Sequence, residues 1–197
     1  PGPLGPERVC REVCTERDLL NLAGLFYELP AENAGGFAKV RALSTHNARI
    51  HDFASWRGLL VLTGVKPTAQ ADGHVIVSDD GKASVWVGAI DDLWAFGKPR
   101  GVGGPWLNTP VKAGEPSDPY LMTGFDRKAL TLSHDAPAPV AMTLELDLTG
   151  TGVWHPYATY TVPAGQPFHV SLNGLRGYWL RLRANRPCAA TAQLTYE

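Results

Sequence analysis

The feature that most constrains the fold is the frequency of turn-forming residues. The 197 residues include 21 glycines and 16 prolines, which lie between short apolar runs, and the two residue types together exceed their usual share of roughly 12%. Glycine and proline residues placed in this way are typical of short strands that alternate with tight turns. With 44% hydrophobic and 19% charged residues, the composition is that of a globular rather than a disordered protein. The sequence therefore predicts an all-β fold.

Charge and hydropathy exclude two classes of partner. The formal net charge of −1 provides no long-range field that would attract phosphates, so we predict no nucleic-acid binding. No run approaches the roughly 18 uninterrupted apolar residues of a membrane helix, so no membrane partner is predicted. The chain opens on Pro1 without a secretory signal, and we expect it to be a segment of a longer molecule.

The first two regions differ in their content of turn residues. Residues 1–20 are predicted to form a linker (1–6) and one short helix (7–20), because the latter stretch is charged and lacks Gly and Pro. Residues 21–136 repeat a unit in which a polar turn precedes a short apolar strand, often with an aromatic residue. The copies lie at 23–29, 56–62, 80–87 and, more loosely, 126–132. Their spacing of about 25 to 45 residues falls in the range of propeller blades.

The pattern of apolar and polar residues changes after residue 137. Five apolar residues alternate with Ala, Thr, Glu and Asp between Val140 and Leu148, the period of a strand with one wet face. Further strands are predicted at 157–162, 167–172, 177–183 and 189–196, separated by turns rich in Gly, Pro and Asn. Five strands at roughly ten-residue spacing predict a small β-sandwich over residues 137–197.

Two of these features resemble parts of known protein architectures. The turn–strand units resemble the end of a β-propeller. The segment 177–183 (Gly-Tyr-Trp-Leu-Arg-Leu-Arg) is similar to the β-sandwich modules appended to bacterial carbohydrate-active proteins. The resemblance implies partial propeller-like antiparallel sheets followed by a sandwich, with a saccharide as ligand. It also implies a secreted or periplasmic location, and a second chain or an upstream segment that completes the fold.

The segment 91–126 is predicted to be a long loop. Its middle, 97–119, contains ten Gly or Pro residues, and stiff loops with mixed side chains often form ligand sites on a rigid scaffold. Sugars present apolar C–H surfaces to flat aromatic rings and hydroxyls to charged groups. The predicted substrate-binding residues here are Trp94, Arg100, Trp106 and Tyr120, together with the carboxylate of Asp118. The alternative is a structural loop that covers a sheet edge and packs its tryptophans inward.

Carboxylates suggest a possible chemistry for this loop. Asp91 or Asp92 could pair with Asp118 or Asp126 as a catalytic acid and base, since glycoside hydrolysis needs two carboxyl groups about 5–10 Å apart. An enzyme of this kind would be a glycoside hydrolase or a polysaccharide lyase. The alternative is a non-catalytic binding or assembly module, or a subunit of a larger β-propeller protein.

A second cluster contains His46, His51, Trp56 and Arg57. His51 could transfer a proton near neutral pH, and the other three could contact substrate. The alternative is a set of polar side chains that stabilise a turn. No third ligand lies near the two histidines, and no phosphate-binding, zinc-protease or serine-esterase motif is present. We therefore predict no metal site and no cofactor.

Three cysteines, Cys10, Cys14 and Cys188, leave at least one thiol unpaired within the chain. We expect buried, unreactive thiols. A disulfide, including one to a part of the protein outside this chain, is the alternative.

Overall fold

The computed structural model describes residues 8–14, 17–46, 48–66 and 73–197. The chain divides into two compact units, residues 1–99 and residues 100–197. Strands in antiparallel sheets dominate both units, which confirms the all-β prediction. The linker predicted over residues 1–6 lies outside the described residues.

The described part of the first unit contains two four-stranded antiparallel sheets, ordered β1-β2-β3-β4 and β5-β6-β8-β7. Three short 3-10 helices lie at Glu32–Ala34, Gly36–Lys39 and Ile90–Phe96. The strands are β1 (Arg8–Cys14), β2 (Arg17–Leu22), β3 (Leu25–Pro30), β4 (Arg41–Thr45), β5 (Phe53–Trp56), β6 (Leu59–Leu62), β7 (Val75–Val77) and β8 (Ser84–Gly88).

An apolar cluster forms the core of the first unit. Phe26 of β3 and Phe53 of β5 meet edge to face, with ring centroids 5.8 Å apart. Leu60, Trp86 and Leu93 extend the same cluster, and all five are at most 2% exposed. Alternate residues of β2, β4, β6 and β8 are buried, as expected of sheets with one buried face.

The predicted N-terminal helix is corrected by the structure. The described residues of 7–20 form β1 and most of β2, which pair antiparallel. Val13 and Leu19 reach the apolar core, and Val9 packs against it. The absence of Gly and Pro is compatible with either helix or strand, and burial at alternate positions of β2, at Leu19 and Asn21, matches the strand.

The second unit, which the structure describes in full, is a β-sandwich of two four-stranded antiparallel sheets, ordered β10-β15-β12-β13 and β14-β11-β16-β9. Leucines of β11, β12, β15 and β16 fill its interior with essentially no exposure. Its strands are β9 (Gly101–Val111), β10 (Tyr120–Leu121), β11 (Lys128–His134), β12 (Val140–Asp147), β13 (Trp154–Val162), β14 (Phe168–Ser171), β15 (Trp179–Ala184) and β16 (Cys188–Tyr196).

The sandwich is larger than the sequence pattern predicts. It begins near residue 100 rather than 137, because β9 pairs with β16 and β11 pairs with both β14 and β16. The predicted loop over 91–126 is correspondingly reduced, since its middle is the eleven-residue strand β9. β9 lies at a sheet edge, where Pro105 and Pro110 can be tolerated because one side of an edge strand needs no ladder hydrogen bonds.

Within the described ranges, no helix has the length and hydropathy needed to cross a membrane.

Candidate functional site

The two tryptophans of the predicted loop have different environments. Trp94 lies on the 3-10 helix Ile90–Phe96 of the first unit and is 60% exposed. Trp106 lies on β9 of the second unit and is only 4% exposed. The structure therefore packs the second indole inward, as the alternative interpretation of this segment expected.

The remaining loop residues lie in the second unit. Arg100 and Asp118 are exposed. Tyr120 is half-buried on the short strand β10, and burial raises the pKa of its phenol. A side chain at Gly103 would place its Cβ 2.1 Å from the Tyr120 hydroxyl, so this ring lies directly against the backbone of β9. Its position makes Tyr120 a packing residue of the sandwich edge.

The carboxylates proposed for catalysis are divided between the two units. In the first unit, Asp91 is exposed and lies 3.6 Å from the Arg17 guanidinium. Asp92 Oδ2 accepts a hydrogen bond from the Ala89 N–H at 2.6 Å and so caps the 3-10 helix. Asp118 belongs to the second unit. Asp92 thus has a structural role in the turn that precedes Trp94.

His46 stabilises local structure in the first unit. Its ring is buried, with Nδ1 2.9 Å from the Ala48 carbonyl and Nε2 2.9 Å from Asn21 Oδ1. Asn21 also donates to the Ile50 carbonyl at 3.3 Å. Burial lowers the pKa of His46, although the hydrogen bond with Ala48 opposes the shift. These contacts match the alternative in which polar side chains stabilise a turn.

The other members of this cluster are solvent-facing. His51 is exposed, and Trp56 is 59% exposed at the tip of the β5–β6 hairpin. Arg57 and Gly58 form the turn with φ values of 51° and 82°, as expected for a tight two-residue hairpin loop. The Arg57 guanidinium carbon lies 5.0 Å from the Trp56 ring centroid. Trp56 and Arg57 therefore form a small exposed pair, separate from the buried His46.

The described residues contain no cluster of three or more potential metal ligands and no disulfide bond. No group of three or more His, Cys, Asp or Glu side chains in these ranges could hold a metal ion. All three cysteines are free thiols. Cys10 and Cys14 are exposed and Cys188 is half-buried, which corrects the expectation of buried thiols.

The outward surface of the sheet β10-β15-β12-β13 carries a set of side chains that the sequence analysis did not select. The strand register places Trp154 of β13 and Trp179 of β15 on the two sides of Asp147 of β12. In the next row, Arg181 lies opposite Glu145. Directly opposed residues of antiparallel strands share one face. The two tryptophans are separated by two strand spacings, about 10 Å.

A network of charged contacts orders this surface. Glu145 is 8% exposed, and its two carboxylate oxygens accept hydrogen bonds from Arg181 Nε at 2.5 Å and Arg183 Nε at 3.0 Å. Arg183 also donates to the Gly114 carbonyl at 2.7 Å. The Arg181 guanidinium carbon lies 4.4 Å from the Trp154 ring centroid. We name these residues the Trp154 face: Glu145, Trp154, Trp179, Arg181 and Arg183.

The protonation state of Glu145 follows from these contacts. Burial alone would raise its pKa, but the hydrogen bonds and charges of Arg181 and Arg183 outweigh burial and hold the pKa below its ordinary value. Glu145 is therefore ionised at neutral pH and acts as an anchor for the two guanidinium groups. An anchored Arg181 in turn restricts the orientation of the Trp154 indole.

The sequence does contain a signal for this face. Trp179, Arg181 and Arg183 alternate with Leu180 and Leu182, which pack inward, so the three longer side chains must share the opposite face. The segment 177–183 is predicted above as a strand and carries an architectural resemblance, but its Trp and Arg side chains are not assigned there to a site. The position of Glu145 opposite Arg181, and that of Trp154 across β12 from Trp179, depend on strand pairing and cannot be read from the sequence of β15.

Asp147 holds the turn beside the two tryptophans. Its carboxylate is buried and accepts four backbone N–H groups, from Thr149, Gly150, Thr151 and Gly152, at 2.8 to 3.2 Å. Burial would raise the pKa of Asp147, but these donors outweigh burial and lower it. The carboxylate thus fixes the turn that leads from β12 to Trp154.

The two units are expected to lose stability in different pH windows. His46, Glu145 and Asp147 all have folded-state pKa values below their unfolded values. The unfolded state therefore binds more protons, and stability falls as pH falls. On acidification from neutral pH, the loss should begin below about pH 6.5 in the first unit and below about pH 4.5 in the second, near the unfolded pKa values of His and carboxyl groups.

Urea unfolding followed by ¹⁵N–¹H spectra at a series of pH values would resolve the two units. A His46→Gln variant should remove the decline of the first unit between about pH 6.5 and 5. Parallel decline of both units only below about pH 4.5 would contradict the assignment.

No family model, curated protein or solved structure matches this chain. Its function is therefore inferred from the geometry of its own residues.

Proposed function

We propose that the chain is a saccharide-binding protein and that the Trp154 face is its binding surface. The observation that carries the proposal is the row of Trp179, Asp147 and Trp154 across three paired strands, next to the row of Arg181 and Glu145. The first row supplies the two indole rings, and the second supplies the Arg181 guanidinium, which Glu145 anchors. Both lie on a sheet surface, where side-chain positions are more constrained than on a loop.

The chemistry of this face suits a sugar ring. A pyranose has apolar C–H surfaces that pack on an indole, and equatorial hydroxyls that accept hydrogen bonds from guanidinium groups. Arg181 has one nitrogen, Nε, committed to Glu145, and it packs over Trp154. Because five N–H donors are available on each guanidinium, Arg181 and Arg183 retain donors for a ligand. Their fixed positions reduce the entropy lost on binding.

The proposal is binding without bond cleavage. A catalytic acid must be protonated near the working pH, whereas Glu145 is held ionised by its two arginines. Asp147 is occupied by four backbone donors. Neither carboxylate of this region can therefore act as the proton donor to a leaving-group oxygen.

Substitution of Trp154 tests the proposal. We expect Trp154→Ala to weaken binding of the best oligosaccharide from a glycan array about tenfold, because one aromatic packing contact is worth about 1.5 kcal/mol. Isothermal titration calorimetry on the full chain measures the change. Trp94→Ala is the matched control, since Trp94 is an exposed tryptophan of the other unit. Equal losses in both variants, an unchanged affinity in Trp154→Ala, or an array without a ligand would contradict the proposal.

One observation favours a second candidate function, that of an assembly module. The outward face of the sheet β5-β6-β8-β7 is apolar, and Trp56, Leu59 and Ile76 on it are exposed. Apolar side chains grouped on an exposed sheet mark interaction surfaces. Sedimentation of the wild-type chain and an Ile76→Lys variant would test this function. A concentration-independent monomer in both would argue against self-assembly through this face.

A further inference from the structure

A buried lysine lies at the start of β11 in the sandwich. Lys128 is only 6% exposed, and its ammonium donates a hydrogen bond to the Phe125 carbonyl. Burial lowers the pKa of this ammonium, and the charge of Arg176 acts in the same direction, while the charge of Asp126 opposes it. Lysine is almost never this buried unless a partner compensates its charge. Phe125 occupies one of three ammonium N–H donors.

Lys128 lines a cavity of about 290 Å³ that is open to solvent at one end of the sandwich unit. Arg176 is a second cation in its wall, and Tyr178 adds a phenol ring with a flat apolar surface. The remaining lining is mostly apolar or backbone: Met122, Thr123, Gly124, Phe125, Leu148, Leu175 and Gly177. The wall of this cavity contains two cationic side chains and no carboxylate.

Hydrogen bonds across the cavity wall fix its shape. The Tyr178 N–H donates to the Asp147 carbonyl, and the Met122 N–H donates to the Tyr178 carbonyl, each at 2.9 Å. The Phe125 ring stacks on Tyr196 with centroids 4.0 Å apart. Strand ends from both sheets therefore hold the lining residues in place.

We propose that this cavity binds a small organic acid, with the carboxylate paired to Lys128 and Arg176 and an apolar body packed against Phe125 and Leu175. A carboxylate would compensate the buried ammonium and accept its remaining donors. The volume lies near the lower limit of about 300 Å³ for small-molecule pockets, which suits a single-ring acid. The proposal does not depend on saccharide binding at the Trp154 face.

Benzoate and benzamide are the two probes that isolate the carboxylate. They have the same ring and nearly the same size, but only benzoate is charged. Calorimetric or NMR titration of the full chain should show benzoate binding at least about tenfold more tightly than benzamide, the equivalent of one charge-assisted hydrogen bond. Sulfate, which is charged but lacks an apolar body, should bind more weakly than benzoate. Equal binding of benzoate and benzamide, or tighter binding of sulfate, would overturn the proposal.

Two variants locate the site. Lys128→Met replaces the buried ammonium with an apolar chain of similar length and should weaken benzoate binding at least about tenfold. Arg176→Gln changes an exposed residue, so the variant should fold normally and still weaken binding. Lys112→Gln is the charge-matched control, because Lys112 is 83% exposed and does not line the cavity. Unchanged affinity in Arg176→Gln, or an equal loss in Lys112→Gln, would refute the site.

Discussion

Glu145→Ala is expected to lower the free energy of unfolding of the sandwich unit by about 3 kcal/mol. The carboxylate is buried on the outward side of β12 and pairs with both Arg181 and Arg183. Removal of the Glu145 side chain leaves the guanidinium groups of Arg181 and Arg183 without their shared counterion. Two like charges that face the same site repel each other. The effect lies at the low end for broken buried ion pairs, because the Arg183 side chain is 35% exposed and water screens it. Urea unfolding measures the change.

Two further variants separate loss of the pair from loss of a side chain. Glu115→Ala removes a carboxylate that pairs with Lys112 at 3.3 Å, but both side chains are more than half exposed. Its expected cost is at most about 0.5 kcal/mol. A triple variant, Glu145→Leu with Arg181→Leu and Arg183→Met, should recover most of the stability lost in Glu145→Ala, since apolar replacement of a buried ion pair is often neutral. A triple variant less stable than Glu145→Ala would contradict this account.

Gly104→Ala is expected to destabilise the same unit by about 3 kcal/mol, at the upper end for overpacking. An added Cβ would lie 1.9 Å from the Ala192 carbonyl oxygen and 2.8 Å from the Gln193 Cα. These are backbone atoms of the neighbouring strand β16, so they cannot rotate away as a side chain could. The β9–β16 pairing must separate locally to accommodate the methyl group, and the register between these strands is already irregular near Ala192.

Gly101→Ala is the matched control for this substitution. Gly101 lies on the same strand, but the nearest atom to its added Cβ is Tyr196 Cδ2 at 4.0 Å, an ordinary contact. We expect a change within about 0.5 kcal/mol, as for most uncrowded surface positions. Chemical denaturation of both variants checks the pair. Similar stabilities of Gly101→Ala and Gly104→Ala would show that the close approach of β9 to β16 does not explain why glycine occurs at position 104.

The local sequence pattern was sufficient to predict strands that have one buried face and one solvent-exposed face. The alternation between Val140 and Leu148 predicted β12, and the later strands of the sandwich also lie close to their predicted ranges. The reason is that burial of every second side chain produces an alternation of apolar and polar residues within one short stretch of sequence. Fold class was therefore accessible from the sequence.

Local pattern failed for β9, and the reason is physical. A stretch with Gly103, Gly104 and Pro105 has low strand propensity and was predicted as a loop. The structure places it on the edge of a sheet, where proline is tolerated and glycine permits close approach to β16. Because β9 belongs to the sandwich, Trp106 is a core residue of that unit and not a surface residue of a loop.

The candidate site could be predicted only in part. The alternation of Trp179, Arg181 and Arg183 is local and assigns these residues to one face. Glu145 joins them through the pairing of β12 with β15, whose partners lie more than 30 residues apart in the chain, and Trp154 lies beyond β12 on the neighbouring strand β13. The aromatic and charged residues predicted instead are divided between two units, and several stabilise turns or cores.

The most direct test of saccharide binding at the Trp154 face is site-resolved indole spectroscopy. The chain has six tryptophans, and each contributes one indole Nε1–H resonance to a ¹⁵N–¹H spectrum. During titration of the full chain with the best oligosaccharide from the glycan array, we expect the resonances of Trp154 and Trp179 to shift in a saturable manner. Those of Trp56, Trp94 and Trp106 should stay in place. Saturable shifts at Trp56 or Trp94 with none at Trp154 would contradict the account.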